Sequence, residues 1–504
     1  MNTYISFRVT SADLQREDFD LNSVSKSFIG GMKWTSLSTV VNTVVQLLQY
    51  VVLARLLSPD DFGLMSMLMV VIVFSQVFTD LGVSSALIYY QDLKKEQLST
   101  LYWINIFSGF LVFAVILLIR PLIAGFYNEP RLIELLVYIA FIFLVTPLGQ
   151  QFQFLLQKDL QFNQLAKVEI LAICSGSATA IVLAFLGFGV YSQIWGQLST
   201  AIVKSLYLMK IGWKKWTPQF VIKFQGLGEI IKFGIYQVGS RTVNYFASNI
   251  DYLLIGRYLG SEALGIYTLA YQLIVIPVTK INPIVTKVAF PIFSKHQDNN
   301  DVISKSFTNM SKLLAVVSFP ILIGLIAIAD VFVPVVFGAK WIIAVPVVQV
   351  LSILGILRVL MNPNGSVLLG KGRADLGFIW DFFVAIFNGL AIWFVVKQGV
   401  LAVAIVYVIV SFLNFILGRQ LLYYVIQLRA KDYFSALTKP TIITVTMGVT
   451  VYVVQAIALH AFDLNPNWFL LIGLIALGAV IYFILFVLID RSFIDYAVKL
   501  VKKS

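Results

Sequence analysis

Two basic residues stand where bases are expensive. Arg241 and Lys280 each lie about 12 residues from the nearer end of an apolar segment. At about 1.5 Å per residue, both sit about 18 Å deep, near the middle of a hydrocarbon core about 30 Å thick. A cation at that depth costs at least about 2.5 kcal/mol. Water, an acid partner or an anionic ligand must offset the cost. A pyrophosphate or uronic-acid group would satisfy both, and the arginine could hold it through two parallel bonds. Pro277 and Pro283 flank Lys280 and can kink its helix, opening backbone toward a cavity. The competing reading is an internal ion pair with a nearby acid.

Polar side chains recur at helical spacing in two segments. Thr35, Ser38, Asn42, Gln46 and Gln49 form one set, and Gln237, Arg241, Asn244, Ser248 and Asp251 the other. Spacings of three and four place each set on one helix face. Interhelical hydrogen bonding explains such stripes in general. Two corresponding stripes, one of them ionised, point instead to a hydrated cavity wall. Arg241, Lys280, Asn244, Gln237, Asn42 and Gln46 are the candidate substrate-binding residues. Asp80, Glu169 and Asp251, with Asp381, are acids at or within helices. Each is a candidate for binding a coupling proton or sodium ion, or a structural partner of a neighbour. Asp80 ranks first because it lies deepest among the acids of the first half. Arg55 and Arg257, at helix ends, are expected to snorkel to lipid headgroups.

Other chemistries lack their residues. Cys174 is the one cysteine, and His296 and His460 lie far apart, so neither a disulfide framework nor a zinc motif is expected. Gly365 to Gly372 nearly spells a phosphate-binding loop, but Gly372 stands where that loop needs Ser or Thr after Lys371. No cofactor, metal or nucleic-acid partner is expected.

The elements that carry these residues are membrane helices. Hydrophobic types make up 59% of 504 residues, charged types 12%, and mean hydropathy is +0.88, whereas soluble domains carry roughly a quarter charged residues. Fourteen segments between residues 33 and 489 are apolar and long enough to span. Residues 1–29 are too polar for a signal peptide. Lys94, Lys95, Lys214, Lys215, Lys371, Arg373, Arg429, Lys431, Lys502 and Lys503 fall on one side of the alternating topology. That side is the cytoplasm by the positive-inside rule, which also accounts for the net charge of +12. Both termini are therefore expected inside.

An internal repeat organises the segments. Arg55 and Arg257 are 202 residues apart, as are Gly63 and Gly265, and at the same offset Asn42 meets Asn244, Gln46 meets Ser248 and Gln49 meets Asp251. Six helices per half makes the repeat parallel, with its axis along the membrane normal. The expected plan is an all-α polytopic membrane protein. It comprises a cytoplasmic segment 1–29, a six-helix bundle 30–210, a cytoplasmic linker 211–228, a second bundle 229–430, and an extra helix pair with a cytoplasmic tail over 431–504.

The run QYVVLARLLSPDDFGLMSMLMVVIVFSQVFTDLGVSSALI (49–88) resembles the opening of the polysaccharide flippases of the multidrug/oligosaccharidyl-lipid/polysaccharide exporter superfamily. The later ADVFVPVVFGAKW (329–341) and the fourteen-helix plan resemble that family too. The subgroup it looks most like exports colanic-acid or teichuronic-acid type polymers. The resemblance implies two six-helix bundles in a V, alternating access, residence in a bacterial inner membrane and an undecaprenyl-pyrophosphate-linked oligosaccharide as cargo. It further implies membrane lipids, a polysaccharide polymerase and glycosyltransferases as partners. Peptidoglycan-precursor flippases of the superfamily carry a DAFFVAF-like segment where this chain reads Phe62-Gly63-Leu64-Met65-Ser66-Met67. A small-cation antiporter would want acids rather than Arg241 and Lys280 at mid-membrane. A membrane-embedded polymerase or ligase would want an extended external loop, and every loop expected on the outer side is short.

Overall fold

The computed structural model describes residues 21–80, 94–223 and 228–490. Among the described residues every regular element is helical. Lipid supplies no partner for backbone amides, and a helix satisfies them within its own segment. The first half comprises α1 (Leu21–Leu56), α2 (Pro59–Asp80), α3 (Lys95–Tyr127), α4 (Leu132–Lys158, with a break at Phe141), α5 (Phe162–Phe185) and α6 (Val190–Gly212). One 68-residue helix, Gly228–Lys295, bends at Gly260 into α7 (228–259) and α8 (261–295). It is followed by α9 (Asn300–Phe337), a 3-10 turn (Ala339–Ala344), α10 (Val345–Met361, continued by Pro363–Gly370), α11 (Ala374–Val395) and α12 (Val400–Ile426). The pair α13 (Ala430–His460) and α14 (Trp468–Ile489) packs against α9. The helices follow the expected segments in order, although α1 is already helical from Leu21. Eleven spans among the described residues are long and apolar enough to cross a membrane. The helix α6 carries Gln193, Gln197 and Lys204 and falls short of that apolarity. Large apolar side chains such as Leu118, Phe394 and Phe469 stand exposed. In water that would be an aggregating surface; on a membrane protein it faces lipid.

The α1–α2 corner is built locally. The Ser58 hydroxyl donates to the Asp61 carboxylate at 2.7 Å, and the Asp61 N–H donates back to Ser58 Oγ at 3.1 Å. This reciprocal cap starts α2, with Pro59 as its first residue. The corresponding corner of the second half turns at Gly260, whose φ of 84° favours a residue without Cβ.

The repeat is visible as contact across its own axis. Ser66 and Thr268, 202 residues apart, share a hydrogen bond of 2.9 Å. A Cβ on Gly63 would lie 1.7 Å from the Ser261 carbonyl oxygen, and one on Gly265 would lie 1.8 Å from that of Pro59. Equivalent glycines thus let α2 and α8 touch backbone to backbone. The apolar cores report the same arrangement. One large buried cluster draws on both halves, including Leu53, Phe62 and Met67 with Leu264, Tyr267 and Trp341. Two further clusters each stay within one side of the molecule: Tyr102, Phe152 and Trp216 in the first half, and Phe293, Phe307 and Tyr433 in the second half and α13. The halves are joined at the α1–α2 end and keep separate cores at the other.

Candidate functional site: a polar cavity beneath a sealed end

The seal is reciprocal. Arg55, at the end of α1, donates from Nε to the Val336 carbonyl at 2.8 Å and from Nη2 to that of Val335. Those carbonyls belong to the last turn of α9. Arg257, at the end of α7, donates to the carbonyls of Gly125 (3.0 Å) and Phe126 and to Asn128 Oδ1 (2.8 Å), at the end of α3. Last-turn carbonyls lack helical partners and carry the negative end of the helix dipole. Each arginine therefore caps a helix of the opposite half. This replaces the snorkelling role expected of Arg55 and Arg257. Lys340 donates to the Arg55 carbonyl and the Trp341 indole to that of Ala54, each at 2.8 Å. Trp341 is fully buried, edge-on to Phe62 with ring centroids 5.3 Å apart. Asp60 accepts from Arg131 at 2.6 Å and from Ser261, and Arg131 also holds Glu129 at 2.7 Å.

Below the Ser66–Thr268 contact lies a cavity of 520 Å³ between the halves. Gln46 and Gln49 line it from α1, Gln193 and Gln197 from α6, Ser248, Asn249 and Tyr252 from α7, and Tyr271 and Gln272 from α8. Amides and hydroxyls of this kind both donate and accept. Such a wall suits a ligand rich in hydroxyls.

The expected stripes divide along this cavity. Gln46, Gln49 and Ser248 line it. Asn42 is half-buried one turn further from the seal on α1. Asn244 is exposed, and Gln237 and Arg241 are half-buried, further along α7. Lys280 lies on α8 and Asp80 ends α2, and both side chains lie outside the described residues. Glu169 is half-buried on α5, in electrostatic reach of Lys204 on α6. Asp381 is exposed on α11. Asp251 is 1% exposed and faces away from the cavity, accepting from the Tyr267 hydroxyl at 2.7 Å.

Behind that wall stands a residue that sequence reasoning left without a role. Arg358 of α10 donates to the Tyr407 hydroxyl at 2.5 Å and to that of Tyr271. Its guanidinium lies 5.1 and 5.3 Å from the two ring centroids, and Tyr271 stacks on Tyr267. Asp251 and Arg358 thus share a tyrosine network joining α7, α8, α10 and α12. The signal was a lone arginine in an otherwise apolar α10, with two tyrosines four residues apart on α8. Lys204 and the glutamines of α6 were also missed, in a segment read as plainly apolar.

Comparison with known proteins adds to the geometry. The polysaccharide biosynthesis protein family matches residues 52–346. The chain is 45% identical to the teichuronic acid biosynthesis protein TuaB of Bacillus subtilis (strain 168), covering 92% of this chain and 96% of that one. It is 32% identical to the lipopolysaccharide biosynthesis protein WzxC of Escherichia coli (strain K12), over 85% and 89% of the two chains. It is 24% identical to the succinoglycan biosynthesis transport protein ExoT of Rhizobium meliloti (strain 1021), over 93% and 94%. Among solved structures, the lipid II flippase MurJ in an inward closed conformation superposes with a TM-score of 0.73 at 17% identity, covering 91% of this chain and 99% of that one. An inward-facing transporter of the multidrug resistance MATE family gives 0.57 at 16%, covering 79% and 100%. The structural likeness concerns the fold.

Proposed function

The chain belongs to the family of polysaccharide biosynthesis proteins, and from that membership we propose that it flips a lipid-linked oligosaccharide across the membrane by alternating access. The observation that carries this reading is the amide-lined cavity between two repeat halves, sealed at one end by helix-capping arginines. The cargo is an undecaprenyl-linked repeat unit of a surface polysaccharide, a reading supported by the names of the relatives. The membrane is the bacterial inner membrane. The unsealed end and both termini face the cytoplasm, where the basic loops lie. Gln46, on the cavity wall, and Asn42, Gln237 and Asn244, further from the seal, meet the sugar, and Arg241 and Lys280 meet its anionic linkage. A proton or sodium gradient drives the cycle through Asp80, Glu169 or Asp251. Glycosyltransferases act before this step and a polymerase after it, and no covalent chemistry is assigned to this chain.

The test is transport in liposomes. Purified protein is reconstituted with a fluorescently tagged, lipid-linked saccharide, and a membrane-impermeant quencher reads the fraction on the outer face. Protein should speed exchange between leaflets, and the variant Arg241→Ala/Lys280→Ala should not. Equal exchange with and without wild-type protein would refute transport.

A further inference from the structure

A second, smaller cavity, of 250 Å³, opens between α4 and α6 of the first half, with apolar walls that carry several polar side chains. Thr146, Gln150 and Gln153 line it from α4, and Gln197, Thr200 and Lys204 from α6. Gln197 also lines the central cavity, so the two spaces adjoin. Lys204 lies eight residues from Gly212, the end of α6 away from the seal, which places its backbone about 12 Å along the helix from that end. Its side chain is half-buried among glutamines and threonines. Among the described residues no hydrogen bond or contact ion pair holds its ammonium, although Glu169 acts on it through space. A cation inside a membrane protein marks a ligand path when it faces a cavity, and the surrounding amides match sugar hydroxyls in both directions.

We propose that Lys204, Gln153, Gln197 and Thr200 form a saccharide subsite in the first half, where the ammonium binds an anionic group of the cargo before it reaches the central cavity. The inference rests on the transport reading and deepens it by assigning the cargo an acidic group and a first resting place. Two sources supply that chemistry: the carboxylate of an acidic sugar, or the diphosphate that joins sugar to lipid. In either case the anion accepts from the ammonium while the amides hold hydroxyls of the neighbouring ring.

Binding in lipid nanodiscs tests this. Three probes are titrated: a glucuronic-acid oligosaccharide, its carboxyl-reduced neutral counterpart, and undecaprenyl diphosphate. Lys204→Gln should weaken at least one anionic probe roughly tenfold or more, as expected for loss of a charged hydrogen-bond partner. It should leave the neutral probe unchanged, and Lys204→Arg should restore most of the loss. The probe that loses affinity identifies the source of the anion. Gln153→Ala, which keeps the charge, should weaken the two oligosaccharides and spare undecaprenyl diphosphate. It also serves as the reporter if Lys204→Gln does not fold. A folded Lys204→Gln protein that binds both anionic probes like wild type overturns the proposal, as does equal loss for the neutral probe. Liposome exchange separates the two levels. If wild type transports and Lys204→Gln transports equally well, the subsite falls and the transport reading stands. If wild type does not transport, the transport reading itself falls.

Discussion

Replacing Arg257 by alanine should unlatch the sealed end. The guanidinium bonds three acceptors at the end of α3, the carbonyls of Gly125 and Phe126 and the Asn128 side chain. A hydrogen bond in a protein contributes about 0.5–1.5 kcal/mol net, and water reaches this site, which favours the low end. Three bonds present in one state and absent in the other then bias the equilibrium by about 1.5–3 kcal/mol, or about 10- to 150-fold in population. Arg55 makes the equivalent contacts on α9, so Arg55→Ala should act in the same direction and by a similar amount. Because the two arginines cap different helices and share no acceptor, their effects should add within about 0.5 kcal/mol. The assay uses a Cys174→Ser background with Ser66→Cys, a position buried in the seam between α2 and α8. A membrane-impermeant thiol reagent should label it slowly in the otherwise native chain, faster in either arginine variant, and fastest in the double variant. Unchanged labelling in the double variant would refute the latch. Strong labelling in one single variant and none in the other would refute its reciprocity.

Trp341→Ala should raise Ser66→Cys labelling more than either arginine variant, with Trp341→Phe intermediate; equal rates would make the arginines the main restraint. Arg358→Ala leaves the Tyr271 and Tyr407 hydroxyls without their donor and Asp251 without its nearby cation and should destabilise the protein by about 1–3 kcal/mol, read as thermal unfolding in detergent. Adding Asp251→Asn should recover most of that loss, and an unrecovered double variant would show that the two residues do not act together. The Arg131 guanidinium holds the Glu129 carboxyl below its ordinary value of 4.5. That contribution is complete above the ordinary value and is lost as pH falls through the depressed one. Thermal stability should therefore decline on acidification below about pH 4.5, less so in Arg131→Ala, and parallel pH profiles would remove the pair from the stability of this end.

How much was legible depended on whether a residue's partner leaves a mark in sequence. The repeat did, because Gly63 and Gly265 are conspicuous at matched positions, and their close approach is why both are glycine. The latch did not. The acceptors of Arg55 and Arg257 are backbone carbonyls, which every residue carries, so nothing in the sequence of α9 or α3 announced them. Asp251 was placed on the cavity face with Gln237 by counting threes and fours. The α7 residues that line the cavity are Ser248, Asn249 and Tyr252, and at about 3.6 residues per turn Asp251 projects from the adjoining face, toward Tyr267. The α6 glutamines were hidden for a different reason: spaced through a segment scored for spanning, they diluted an apolar signal without announcing a pattern of their own.

The sealed end combines two kinds of restraint with different physical roles. Burying a tryptophan removes about 200 Å² from solvent, worth about 5 kcal/mol as an upper bound. Part of that remains when the halves separate, because Trp341 still packs on its own side. The aromatic contacts of Trp341 with Phe62, and of Tyr50 with Phe62 and Phe337, are non-directional in their main term and would tolerate small slips. The arginine caps contribute less free energy but are directional. They bind the ends of α9 and α3 only when those helix ends stand at fixed positions against α1 and α7. The backbone contacts at Gly63 and Gly265 are equally intolerant of a slip. Closure therefore draws most of its strength from the aromatic cluster and its register from the arginines and glycines. Away from the seal the halves keep separate cores and meet where Phe74 of α2 packs on Tyr245 and Phe246 of α7. A cargo that bridges the two walls of the central cavity would add to that contact. Loading would then favour closing there, and the strain would fall on the latch.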